Sequence, residues 1–130
     1  MSRRAFIDTQ IAFWLAKGDS RLSALALKRI NSSAETAMSS LSIAELEIKA
    51  GIGKLALPRD LATLFKLQGI KIEAFDEQAA SSLARFPSLV RHDPFDRMIL
   101  AQASSMPDTT FFTSDRVLAE MGLDWVVDCS

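Results

Sequence analysis

The chain has 130 residues, of which 48% are hydrophobic and 24% charged, and its formal net charge is -1. That profile excludes a disordered chain and fits one soluble domain, 1–130, able to bury a core. The near-neutral balance gives no overall basic field for nucleic acid, although a local basic patch is compatible with it.

The single cysteine, Cys129, cannot form an internal disulfide, and with His92 as the only histidine there is no Cys/His set for zinc. A reducing cytoplasm is the natural compartment. Asp8 interrupts the first apolar segment too early for a signal-peptide core, and no apolar run is long enough to span a bilayer.

In chain order, "RAFID" is a short β-prone run ending in Asp8. "TQIAFWLAKG" has helical spacing, with Ile11, Trp14 and Leu15 on one face and a stop at Gly18. "SRLSALALKRIN" predicts a second helix, apolar at Leu22, Leu25, Ala26 and Ile30. "ETAMSS" reads as a short buried strand, and "SIAELEIKAGIG" as a helix closed by glycines. After Pro58, "RDLATLFKLQG" is amphipathic, "IKIEAF" alternates as a strand, and "DEQAASSLARF" is a helix with an acidic first turn. "PFDRMILAQASS" is the most apolar helix, followed by strand "TTFFTS", short helix "DRVLAEMG" and strand "DWVVD". Strands alternating with helices predict a three-layer α/β/α domain around a central parallel sheet. "GIGKLALP" lacks the spacing of a phosphate-binding loop and follows a helix rather than a strand.

The acids have an ordinary reading first. In "HDPFDR", Asp93 suits an N-cap, Pro94 the first helical position, and Asp96 the third. Ser42 could cap its helix with Glu45 three residues on, Ser114 or Asp115 could cap "RVLAEM", and Asp8 could cap the first helix. They share a second property. Asp8 and Asp115 fall where a strand gives way to a helix, and Glu45 follows a strand closely. In a parallel sheet those junctions lie on the carboxyl edge, where ligands bind. Clustered carboxylates repel one another, and a divalent cation that favours oxygen ligands removes the cost.

Four stretches resemble the PIN-domain nucleases, and among them the VapC-type toxins of toxin–antitoxin pairs: "IDTQIAFWL", "SIAELEIKAGIGKL", "HDPFDRMILAQA" and "FTSDRVLAEMGLDWV". The resemblance implies a PIN-like α/β/α fold and a metal-dependent endoribonuclease using Mg2+ or Mn2+. It implies an acidic set of Asp8, Glu45, Asp96 and Asp115, with "GIGKL" favouring Glu45 over Glu47. Asp93 then starts the helix while Asp96, one turn inside, enters the site; an outer role for Asp93 stays open. An RNA substrate, an antitoxin that often places an arginine near the acids, and a homodimer are implied too, with helices 9–30 and 59–68 as interface. The chain departs from the family in having Ala44, not an aromatic, before the glutamate.

Around these acids, Thr113 could bond a carboxylate or a bound water, or be only a β-branched strand residue, and Thr9 has a weaker version of the same case. Arg97 and Arg116 could grip phosphate or neutralise a carboxylate, or be solvated or structural arginines. His92 could be a general base, against a surface or capping role. Lys49 reads as an i,i+4 partner of Glu45. The competing functions are a phosphatase, which wants an aspartate where Gln10 stands, a phosphoacceptor signalling domain, and a non-catalytic PIN-fold binding partner.

Overall fold

The computed structural model describes residues 3–54, 56–57 and 60–129. Five parallel strands, β1 (Arg4–Ile7), β2 (Glu35–Ser39), β3 (Ile70–Glu73), β4 (Thr109–Thr113) and β5 (Val126–Asp128), stand in the order β3-β2-β1-β4-β5. The helices are α1 (Thr9–Lys17), α2 (Ala24–Ser32), α3 (Ser40–Gly51), α4 (Leu61–Leu67), α5 (Glu77–Ser81), α6 (Pro94–Ser104) and α7 (Arg116–Ala119). The parallel α/β/α expectation holds.

Alternation along each strand builds the two outer layers. Ala5, Ile7, Met38 and Phe112 face a core completed by Ile11, Trp14, Ala26, Ile30 and Phe65, from α1, α2 and α4. Phe6, Ala37 and Phe111 face the opposite core, completed by Ile99, Leu100 and Ala103 of α6 and Leu118 of α7. Helix α3 touches both α1 and α6 and gives Leu46 to the first core, with Leu41 packed against the second. It therefore bridges the layers.

Some local expectations are corrected. Ser42 is not a cap: Ser39 caps α3, accepting from the Leu41 N–H, while Ser42 lies buried inside the helix. The second helix begins at Ala24 behind Ser23, and Leu25 is 70% exposed rather than part of the buried face. The helix expected over 76–86 is α-helical only to Ser81, then tightens into 3-10 turns at Ser82–Arg85 and Pro87–Leu89. Pro87 accounts for the break, because a residue before proline is driven out of the α region, and Phe86 has φ -126° and ψ 59°. Gly18 does end α1, at φ 63°, with its N–H on the Leu15 and Trp14 carbonyls. Arg59, the expected start of the fourth helix, and Pro58 before it lie outside the described residues; Asp60 caps α4.

The strand order fixes where a ligand can sit. The chain moves outward from β1 through β2 to β3, then crosses to the other side of β1 for β4 and β5. The crevice at the carboxyl ends of β1 and β4 is thus the topological switch point.

Candidate active site

Asp8 occupies that point. It follows β1, donates its backbone N–H to Phe112 of the neighbouring strand at 3.0 Å, and is buried. Its Oδ1 accepts from the Ile11 N–H at 2.8 Å, capping α1. Its Oδ2 accepts from the Thr113 hydroxyl at 2.6 Å and the Ser114 N–H at 3.1 Å. Thr113 also accepts, at Oγ1, the Asp115 N–H at 3.0 Å. This one hydroxyl ties the first acid to the last, so Thr113 is a carboxylate partner and more than a strand former.

Asp115 caps α7 with Oδ1, which accepts from the N–H groups of Val117 at 2.9 Å and Leu118 at 3.3 Å. Its Oδ2 lies 2.7 Å from His92 Nε2. The same ring nitrogen is 3.8 Å from Asp96 Oδ2. Asp93 caps α6, accepting from Phe95 and Asp96 N–H groups, and Asp96 is carried one turn inside. The capping and site readings of the acids are therefore compatible: Asp8 and Asp115 each use Oδ1 on a helix end, while Oδ2 meets Thr113 and Ser114 in the first and His92 in the second, and both residues line the crevice.

Glu45 reaches the crevice from α3. It is buried, whereas Glu47 is exposed, so α3 presents the expected acid inward. Its Oε1 accepts from the Thr9 hydroxyl at 2.7 Å, and its Oε2 pairs with Lys49 at 3.0 Å. Thr9 Oγ1 is also 2.9 Å from Ser42 Oγ. Thr9 has one proton, which the carboxylate takes, so Ser42 donates to Thr9.

All four acids line a single cleft of about 720 Å³. Asp93 lines it too, and Lys17, Arg21, Lys49 and Lys54 bring positive charge to its rim. Arg97 and Arg116 are not among its lining residues; Arg97 has a buried Nε without a hydrogen-bond partner, and Arg116 is exposed. The rim lysines and Arg21 were not legible as a group, since they come from 17, 21, 49 and 54 with no common motif.

The electrostatics are those of crowded carboxylates. Burial raises Asp8 to about 6, against the pull of hydrogen bonds from Thr113, Ile11 and Ser114. Burial, a hydrogen bond with Asp115, and the charges of Asp93, Asp115 and Asp8 raise Asp96 to about 8. Burial also acts on Asp115, but hydrogen bonds from His92, the Leu118 N–H and Asp96 hold it below the usual carboxylate range. Among the described residues, none of these three aspartates has a lysine or arginine as ion-pair partner. Oxygen donors of like charge without a cationic side chain are a donor set that fits a hard divalent cation. His92, Asp96 and Asp115 offer ligand atoms all within 4.8 Å of one another.

His92 is the residue the sequence undervalued. It is neither a helix cap nor a free surface residue, but half-buried against Asp115. Nothing near position 92 announces this, because its partner is 23 residues away.

The PIN-domain family matches residues 5–123. The chain belongs to the PIN-domain family. PIN domains are nucleases, and the match spans every acid of the cleft. Curated proteins include no significant sequence match. Among solved structures, the chain is similar to one from the DNA-bound VapBC complex of Salmonella typhimurium, with TM-score 0.70, 22% identity and 98% of each chain covered. A VapBC2 structure from Rickettsia felis, bound to a DNA fragment from its promoter, aligns at TM-score 0.69 and 13% identity over 98% of this chain and 99% of that one. A toxin–antitoxin complex from Klebsiella pneumoniae aligns at TM-score 0.66 and 18% identity, covering 97% and 98%. These likenesses share the fold of this PIN domain. No helix among the described residues is long and apolar enough to cross a membrane.

Proposed function

We propose that this PIN domain is a VapC-type toxin, an endoribonuclease that hydrolyses RNA phosphodiester bonds at a Mg2+ or Mn2+ site formed by Asp8, Glu45, Asp96 and Asp115. The observation that carries the reading is the convergence of these acids, from the β1–α1 junction, α3, α6 and the β4–α7 junction, on one cleft in which, among the described residues, Asp8, Asp96 and Asp115 have no lysine or arginine as ion-pair partner.

A divalent cation supplies Lewis acidity there, stabilising charge on the scissile phosphate and lowering the pKa of water. The chain's own groups do the rest. Helix N–H groups, Thr113 and Ser114 fix the Asp8 and Asp115 carboxylates before any ligand arrives. Asp96, its carboxyl raised by burial and its acidic neighbours, would have to be deprotonated to hold the cation. Glu45, held by Thr9 and Lys49, would bind the cation directly or through water, or orient the attacking water. Lys17, Arg21 and Lys54 face the same cleft and fit the phosphates of a nucleic-acid strand.

The exposed Leu25 (70%) and Leu67 (81%), on α2 and α4, supply apolar surface for the proposed antitoxin and for a homodimer. The similarity to the VapBC complexes of Rickettsia felis and Salmonella typhimurium supports an antitoxin partner. The fold and composition suit a cytoplasmic protein.

The test is to map RNA ends after brief expression of wild type beside Asp8→Asn, a change that keeps the cap but removes the charge. Cuts seen only with wild type support the assignment and name the RNA. Identical patterns from both would remove the nuclease reading and leave a non-catalytic PIN-fold binding partner.

A further inference from the structure

Asp115 has one oxygen committed to the start of α7, where two N–H groups hold Oδ1. Any cation it binds in the cleft must therefore sit at Oδ2. That is the atom His92 faces at 2.7 Å, and Asp96 offers Oδ2 to the same ring nitrogen at 3.8 Å. The imidazole thus points at the space between the two oxygens that would share a cation.

The separations match coordination. Two neighbouring ligands at about 2.1 Å from an octahedral ion lie about 3 Å apart. The observed 2.7 and 3.8 Å bracket that value, so small side-chain rotations place Nε2, Asp115 Oδ2 and Asp96 Oδ2 around one ion.

We propose that His92 is a nitrogen ligand of the cation held by Asp96 and Asp115, and that it makes the site prefer Mn2+ to Mg2+. The inference rests on the metal-dependent reading above and adds a ligand to it. An imidazole nitrogen gains little with Mg2+, a hard ion that favours oxygen and water, and more with first-row transition metals. To bind, Nε2 must be unprotonated, so the ring's remaining proton sits on Nδ1. The rival role is a clamp, in which Nε2–H only holds Asp115 in place.

Pulsed electron paramagnetic resonance of Mn2+ bound to the full chain separates them. His92 is the only histidine, so imidazole 14N coupling to the ion can be assigned without isotope labelling. The wild type is expected to show that coupling, and His92→Gln to lose it while remaining folded by circular dichroism. Mn2+ affinity in His92→Gln should fall by about tenfold or more, since a direct ligand contributes at least what an outer hydrogen-bond partner does, with Mg2+ affinity much less changed. A glutamine amide can still donate to Asp115, so a clamp predicts retained Mn2+ affinity. Bound Mn2+ with oxygen ligands alone overturns this inference and leaves the nuclease reading standing. Failure of the wild type to take up Mn2+ at all overturns both.

Discussion

Replacing Asp96 by Asn is expected to stabilise the metal-free protein at neutral pH. Burial and acidic neighbours raise Asp96 to about 8 in the folded chain, against the ordinary 3.8 of an exposed aspartate in the unfolded one. Between those values the folded state holds more protons than the unfolded state, so stability falls as pH rises. At about 1.4 kcal/mol per unit, the whole shift of about four units corresponds to an upper bound of about 6 kcal/mol lost above pH 8. Asp115 moves in the opposite direction and returns part of this, and its contribution fades below the ordinary carboxylate range. Asp96 keeps 27% of its side chain in solvent, which screens more. About 2–3 kcal/mol is then the expected gain for Asp96→Asn at pH 7.5 in EDTA, a rise in Tm of several degrees. Urea unfolding of both proteins from pH 4 to 8 measures it. The gap should close as pH falls toward 4, where both side chains are neutral. A variant no more stable than wild type at pH 7.5, or a gap unchanged at pH 4, would refute the like-charge account of the site. Added Mn2+ should close the gap, stabilising wild type by about 2.7 kcal/mol at a hundredfold excess over Kd and leaving Asp96→Asn nearly unmoved.

Thr113→Val keeps the strand shape but leaves the Asp115 N–H and Asp8 Oδ2 without their shared hydroxyl, and should cost about 1–3 kcal/mol in denaturant unfolding. Thr113→Ser should recover most of that; equal loss in both variants would assign the effect to packing. Asp93→Ala removes the α6 cap and should cost about 1 kcal/mol, with Mn2+ uptake by titration calorimetry retained. Loss of Mn2+ binding in a folded Asp93→Ala protein would make Asp93 part of the centre. The triple variant Lys17→Ala, Arg21→Ala, Lys54→Ala should weaken single-stranded RNA binding and reduce the log–log salt slope by about 0.7 for each lost phosphate contact. An unchanged slope in fluorescence anisotropy would place the strand elsewhere.

The sequence by itself determined what is local. The β-prone runs "RAFID" and "TTFFTS" marked the central strands, and the covers α1 and α6 followed from helical spacing with caps at Asp8 and Asp93. It placed the acids at strand–helix junctions, which a parallel sheet gathers on one edge, and the family motif picked Glu45, which the structure buries, over the exposed Glu47. Tertiary structure alone decided who meets whom. Periodicity specifies which face a residue takes but not which strand lies beside it. The order that sets β4 against β1 brings Thr113 onto Asp8 across 105 residues. The same long-range packing drew His92 in against Asp115, turned Ser42 from a presumed cap into a buried donor to Thr9, and gathered Lys17, Arg21 and Lys54 on one rim. Such contacts arise when the layers close over the sheet, and neighbouring residues carry no trace of them.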